Sequence, residues 1–299
     1  MRFPGTWWGR SSTCVQPPAT LLPARHSLWT AGISLTEHEE TIPNASSALS
    51  AGELDGKVAV ITGGGGDIAR HYARAIAEAG AAIALIDIMP DKAADAAEAL
   101  TNAGYDALGL TADVGNKKQL QGAVDRIIDG FGGIDILVNN AGYATTIDFV
   151  DIPEEEFDKV LDANLKGAFL LSQLAVPSMK QRGGGKIVNL TSTVSRTGPG
   201  DLVHYVAAKS GIIGMTRALA RALGPFNITV NALAPGMVAT EPITALYPTE
   251  VLDRSAAGRA IQRWEYAEDL VGTLTFLCSP ASDFMTGQTI FVDGGHVFD

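Results

Sequence analysis

The feature that most constrains this chain is an alternation. Between residues 57 and 292, seven short runs of apolar and β-branched residues are separated by longer segments of helical character; the runs fall at 57–61, 82–87, 107–111, 134–139, 186–190, 228–233 and 289–292. Strand followed by helix builds a parallel sheet, because parallel neighbours need a long crossover and that crossover is normally helical. The runs are apolar throughout rather than on alternate residues, as strands covered on both faces are. The segments at 68–79 and 91–103 are rich in alanine and stop at Gly80 and Gly104, where glycine takes the left-handed residue that ends a helix at least strain. The expected fold is α/β, a single doubly wound domain over residues 51–299 with a seven-stranded parallel sheet flanked by helices. Long helices are expected over 154–181 and 203–223.

Residues 1–50 differ from the rest. They hold Trp7, Trp8 and Trp29, three of the four tryptophans, but only three of the 33 glycines. Up to Thr36 there are three arginines and no acid, a composition found in organelle targeting segments. Four prolines nevertheless interrupt any amphipathic helix there, so an extension without fixed structure is the favoured expectation and targeting by residues 1–36 the alternative. The formal charge of -11, from 22 basic and 33 acidic residues, argues against a bulk electrostatic grip on nucleic acid or an anionic membrane. Two cysteines, Cys14 and Cys278, are too few for a disulfide framework or a cysteine-built metal site, so no metal is expected and a reducing, cytoplasmic compartment fits. No apolar run approaches the roughly 18 residues that span a bilayer.

The first strand runs directly into Thr62-Gly63-Gly64-Gly65-Gly66-Asp67-Ile68-Ala69, which opens the first helix. Glycines there permit positive φ and let backbone N–H groups approach a pyrophosphate at the helix start. Asp87 ends the second strand, 24 residues after Gly63, and is placed to accept from ribose hydroxyls. Further along stand Asp113-Val114, Asn139-Asn140-Ala141-Gly142, Asn164, Ser192, Tyr205-x-x-x-Lys209, and Pro235-Gly236 with Val238 and Thr240. In this order and spacing, residues 54–299 resemble the short-chain dehydrogenase/reductase family, whose fold is of the Rossmann type.

The resemblance implies an oxidoreductase that moves hydride between a nicotinamide cofactor and an alcohol or ketone. It assigns Tyr205 as acid/base, Lys209 as the cation beside it and a ligand of the nicotinamide ribose, Ser192 as hydrogen-bond partner of the substrate oxygen, and Asn164 as holder of a relay water. It gives cofactor contacts to Gly63, Gly65, Gly66, Asp67, Ile68, Asp87, Ile88, Asp113, Val114, Asn140, Ala141, Gly142, Tyr205, Lys209, Pro235, Gly236, Val238 and Thr240. The chemistry supports these roles. A tyrosine with a pKa near 10 is a poor base at neutral pH. A lysine ammonium about 4 Å away offers on the order of 4 kcal/mol toward its anion. Thr191 and Ser195 are the nearest confusions for Ser192, and the 13-residue spacing to Tyr205 decides against them. His204 should point off the catalytic face.

One departure matters. The family pattern is Thr-Gly-x-x-x-Gly-x-Gly, and Asp67 and Ala69 occupy its second and third glycine places. Asp67 is expected either to cap the helix or to face, and repel, the pyrophosphate, with Gly65 and Gly66 supplying the close approach. A 2′-phosphate would meet the Asp87 carboxylate, and Gly66 and Ile88 stand where NADP-preferring relatives carry a base, so NAD is expected; Arg70 is the counter-candidate. Tyr143, Val194, Leu202, Met237, Ile243, Leu246 and Tyr247, with Arg196 the nearby base, predict an uncharged, moderately apolar alcohol or ketone. The substrate segment is placed near 237–263. Arg254, Arg259 and Arg263 read as a solvated helix face; the alternative is docking of an acyl carrier protein or coenzyme A, which would make the enzyme a 3-oxoacyl-carrier reductase. A silent dinucleotide sensor would lack one of the four catalytic side chains, and none is missing. Wide apolar stripes on the two long helices predict a homo-oligomer, dimer or tetramer.

Overall fold

The computed structural model describes residues 49–298; the expectations for the extension as far as residue 48, including targeting, lie outside the described residues. In chain order the elements are β1 (Val58–Thr62), α1 (Asp67–Glu78), β2 (Ala82–Asp87), α2 (Pro90–Asn102), β3 (Ala107–Thr111), α3 (Lys117–Phe131), β4 (Ile136–Asn139), α4 (Glu154–Leu161), α5 (Gly167–Gln181), β5 (Gly185–Leu190), α6 (Val194–Thr197), α7 (Val203–Leu223), β6 (Ile228–Pro235), α8 (Glu241–Leu246), α9 (Thr249–Ala257), α10 (Ala267–Cys278) and β7 (Thr289–Val292). The strands form one sheet in the order β3-β2-β1-β4-β5-β6-β7, and every pairing is parallel. The seven-stranded, helix-flanked, Rossmann-type sheet is as the alternation predicts.

Alternate strand residues feed two cores. Ala59 and Ile61 of β1 pack with α1, α2 and α10, whereas Val58 and Val60 pack with α3, α5 and α7. Because side chains alternate sides along a strand, a continuously apolar strand fills both. Helix α1 forms since Ala69, Tyr72, Ala73, Ile76 and Ala77 recur at helical spacing and all bury on one stripe. It ends at Gly80 with φ +104, as α2 ends at Gly104 with φ +91. Asn116 starts α3 by accepting from the backbone of Lys118 and Gln119, the ordinary work of a helix-capping side chain.

The expected helix over 154–181 is not continuous. Between α4 and α5 lies a π turn, Asp162–Lys166, closed by the Gly167 N–H on the Asp162 carbonyl. One extra residue in a turn shifts the helical register, which apolar periodicity does not report. Such turns are frequent at functional sites, and Asn164 sits in this one. Among the described residues no helix is long and apolar enough to cross a membrane.

Candidate active site

Strand order reverses between β1 and β4, and the crevice this opens lies at the carboxyl ends of the strands, where open α/β sheets hold ligands. The cleft has a volume of about 1850 Å³, above the roughly 300–1,000 Å³ of a pocket for one small ligand. It has room for a dinucleotide and a second molecule.

At its floor Gly63 leaves β1 with φ +64, and a Cβ there would stand 3.1 Å from the Ala141 backbone. Glycine is needed on both counts. Gly66 starts α1 with no side-chain cap, and Gly63, Gly66, Asp67, Ile68 and Ala69 line the cleft. Gly65 behaves otherwise than expected: it is not a lining residue, and a Cβ on it would overlap Lys92 of α2. Its N–H is spent on Asp87 Oδ2 at 3.0 Å, while Asp87 Oδ1 accepts from Met89 N at 2.9 Å. These two bonds fix the carboxylate at the end of β2. Thr62 Oγ1 accepts from the backbone of Asn140 and Ala141, and Asn140 Nδ2 donates to Thr62 O at 2.9 Å, which ties the β4 turn to the glycine turn. The uncapped start of α1, the fixed Asp87 and the lining residues Ile88, Asp113 and Val114 fit a dinucleotide.

Asp67 lines the cleft but does not cap α1. It is the first residue of α1 and not its cap, and its Oδ2 accepts from Glu241 N at 2.7 Å, at the start of α8. Arg70 is exposed and donates from Nε to Gly65 O at 3.2 Å.

Tyr205 and Lys209 stand one turn apart on α7, so both side chains reach the same wall. The buried Lys209 Nζ donates to Leu190 O at 2.9 Å and lies 5.5 Å from the centre of the Tyr205 ring. Ser192, just past β5, lines the cleft with Tyr205, and its Oγ accepts from Val194 N at 3.3 Å. Asn164 is buried; its Nδ2 donates to Tyr143 O at 2.6 Å and Val160 O at 2.9 Å. A Cβ on Gly142 would sit 3.0 Å from Asn164 Oδ1 and 3.6 Å from Lys209 Nζ. Asn164 and Lys209 therefore meet beside Gly142, and Ser192, Tyr205 and Lys209 line the cleft. The confusable hydroxyls are engaged elsewhere: Thr191 donates to Lys209 O and Ser195 to Ser192 O. His204 is wholly buried, its Nε2 3.1 Å from Thr145 Oγ1, which agrees with a packing position. The Thr191 bond, which pins α7 to β5, had no signal in the sequence.

The ionisation differs from the sequence argument. Burial pushes the Tyr205 phenol up to about 12, with the Ser192 hydrogen bond opposing it, and brings the Lys209 ammonium down to about 8. Desolvation penalises the charged form of each group and is the leading cause of both shifts. The expected lowering of the tyrosine by its lysine is thus absent from the protein alone.

The substrate end is walled by Tyr143, Val194, Leu202, Met237, Ile243 and Tyr247 as expected, but not by Leu246, which is exposed, nor by Arg196, which lies over the Phe291 ring at 5.5 Å. The three arginines do not share a helix face. Arg254 is in α9, which ends at Ala257; Arg259 is buried against Glu265 at 3.1 Å and donates to Met237 O; Arg263 is paired with Asp269. Burial drives the Glu265 carboxyl up to about 7 against the opposing pull of Arg259.

The family model described as enoyl-(acyl carrier protein) reductase matches residues 65–296. The 2-dehydro-3-deoxy-D-gluconate 5-dehydrogenase of Escherichia coli is 40% identical over 253 residues, 83% of this chain and 98% of that protein. The chain belongs to the short-chain dehydrogenase/reductase family. A (2S)-[(R)-hydroxy(phenyl)methyl]succinyl-CoA dehydrogenase subunit of Thauera aromatica is 38% identical over 246 residues, 81% of this chain and 97% of that subunit. The crystal structure of a short-chain type dehydrogenase/reductase from Mycobacterium marinum superposes with a TM-score of 0.79 at 34% identity, covering 85% of this chain and all of that one. This short-chain dehydrogenase is an oxidoreductase, and its class of reaction is hydride transfer between a nicotinamide cofactor and an alcohol or ketone.

Proposed function

We propose that this short-chain dehydrogenase interconverts an uncharged, moderately apolar alcohol and its ketone with NAD, Tyr205 acting as acid/base. The observation that supports this reading is that Ser192, Tyr205 and Lys209 line one cleft, with Asn164 Oδ1 and Lys209 Nζ both beside Gly142. The nicotinamide, when bound, takes up or gives the hydride and brings a positive charge in its oxidised form. Ser192 holds the substrate oxygen beside the Tyr205 hydroxyl, so the proton moves over a single hydrogen bond. A phenol at about 12 gives a proton readily to a forming alkoxide; in the oxidation direction it needs cationic help, and Lys209 stands on the side from which that help comes. Asn164, which donates to the Tyr143 carbonyl, positions that cleft residue.

NAD is favoured by Asp87: two backbone N–H groups fix its carboxylate at the end of β2, and that charge would repel a 2′-phosphate beside it. The domain is taken to start near residue 51 and the enzyme to work in the cytoplasm as a dimer or tetramer. Phe149, Val150, Phe157 and Phe169, exposed on and beside α4 and α5, suit burial by a second copy. For the alternative of carrier docking only Arg254 of the three arginines stays available, since Arg259 and Arg263 pair with Glu265 and Asp269.

A fluorescence screen of the purified protein with NAD and NADP against panels of alcohols and ketones tests the reading. Turnover of uncharged apolar compounds with NAD is expected. Turnover confined to coenzyme A or carrier thioesters, or dependent on NADP, would refute the corresponding part.

A further inference from the structure

Helix α8 carries Ile243 and is followed by Tyr247, both walls of the substrate end, yet it buries none of its own six residues. Packing therefore does little to hold it in place. Its root is firm: Gly236 N donates to Glu265, and Met237 O accepts from the buried Arg259. The root extends through Ala239, whose N–H donates to Glu265 O at 2.7 Å, and beyond it two hydrogen bonds fasten the segment across the cleft. At the far end the Tyr247 hydroxyl meets Thr146 Oγ1 at 3.3 Å, and at the near end Asp67 Oδ2 accepts from Glu241 N at 2.7 Å. The second is the shorter and the charge-assisted one, hence the stronger.

We propose that Asp67 is a latch, a positioning residue that holds the segment 237–247 against the glycine turn before cofactor arrives. The carboxylate lies between two helix starts, those of α1 and α8, and Thr240 at the head of α8 provides no side-chain cap of its own. An N–H that would otherwise look to water is satisfied from across the cleft. The site also explains how this chain tolerates an acid where its family carries glycine. One carboxylate oxygen is engaged by α8, while the residue still lines the cleft, so its charge would weaken the binding of a nearby pyrophosphate. The latch concerns the same cleft as the proposed reaction and rests on that reading only for the cofactor.

The test compares wild type with Asp67→Asn, which keeps an oxygen acceptor and drops the charge, and Asp67→Ala, which keeps neither. Hydrogen exchange over residues 238–247 is measured first, without cofactor or substrate. Exchange should be at least about fivefold faster in the alanine variant, as the loss of one partly exposed charge-assisted bond implies, and close to wild type in the asparagine variant. NAD titrations at low and high salt follow. Both variants should bind NAD more tightly than wild type at low salt, and the difference should shrink as salt rises. Unchanged exchange in the alanine variant overturns the latch and leaves the proposed reaction standing. Failure of all three proteins to bind NAD would refute the cofactor reading, while the exchange result still decides the latch.

Discussion

Lys209 is held charged in a place that resists charge, and replacing it with methionine should make the protein dead but more stable. Burial brings the ammonium from 10.5 to about 8, which corresponds to a penalty on the order of 3 kcal/mol on the charged form. Methionine has similar length, no charge, and adapts to irregular surroundings. Against this gain stands the loss of the bond to Leu190 O at 2.9 Å, worth about 1.5 to 3 kcal/mol for a charged donor. A net gain of about 1 kcal/mol at pH 7 remains, or roughly 2 to 4 °C in Tm for a domain of this size. The pH dependence identifies the cause. Because the folded value lies below the unfolded one, the penalty is fully present below pH 8, fades between 8 and 10.5, and is gone above. The neutral amine still donates to Leu190 O, so near pH 10.5 wild type should be the more stable of the two. Thermal unfolding followed by circular dichroism at pH 7 and near pH 10.5, without cofactor, decides it. A Lys209→Met protein less stable than wild type at pH 7, or a gain that does not change with pH, would refute the reasoning.

Other outcomes follow from the same geometry. Gly142→Ala places a methyl 3.0 Å from Asn164 Oδ1 and 3.6 Å from Lys209 Nζ; the protein should fold while turnover falls at least about tenfold, since misplacing catalytic groups by fractions of an ångström is costly. The wild-type preference for NAD over NADP in kcat/KM should exceed about 30, or roughly 2 kcal/mol, and Asp87→Ala should shrink it by relieving repulsion of the 2′-phosphate. A chain beginning at Ala51 should keep its fold by circular dichroism and its turnover, because β1 starts only at Val58.

The sheet was readable in the sequence because its strands are buried on both faces: continuous apolar runs such as 82–87 and 107–111 coincide with the observed β2 and β3. Gly63, Asp87, Ser192, Tyr205 and Lys209 were readable because motif spacing fixes their places at strand ends and on one helix turn. What escaped depends on distant contacts or on burial. Nothing in the residues around Asn164 announces an i→i+5 turn, and Arg259 looks like any surface arginine until Glu265 and Met237 O are brought to it by the chain after α9. Asp67 was recognised as a departure, but its partner Glu241 lies 174 residues away. The rise of the Tyr205 pKa escaped for a related reason: spacing gives its proximity to Lys209 but not how thoroughly water is excluded.

The central claim, that the Tyr205 hydroxyl carries the proton, is tested most directly by the turnover of Tyr205→Phe on the best alcohol from the screen. The account predicts a loss of about 10²- to 10⁴-fold in kcat, the range for removing a general acid–base group, with the folded structure and NAD binding retained. A phenylalanine variant that keeps near-wild-type turnover would contradict it.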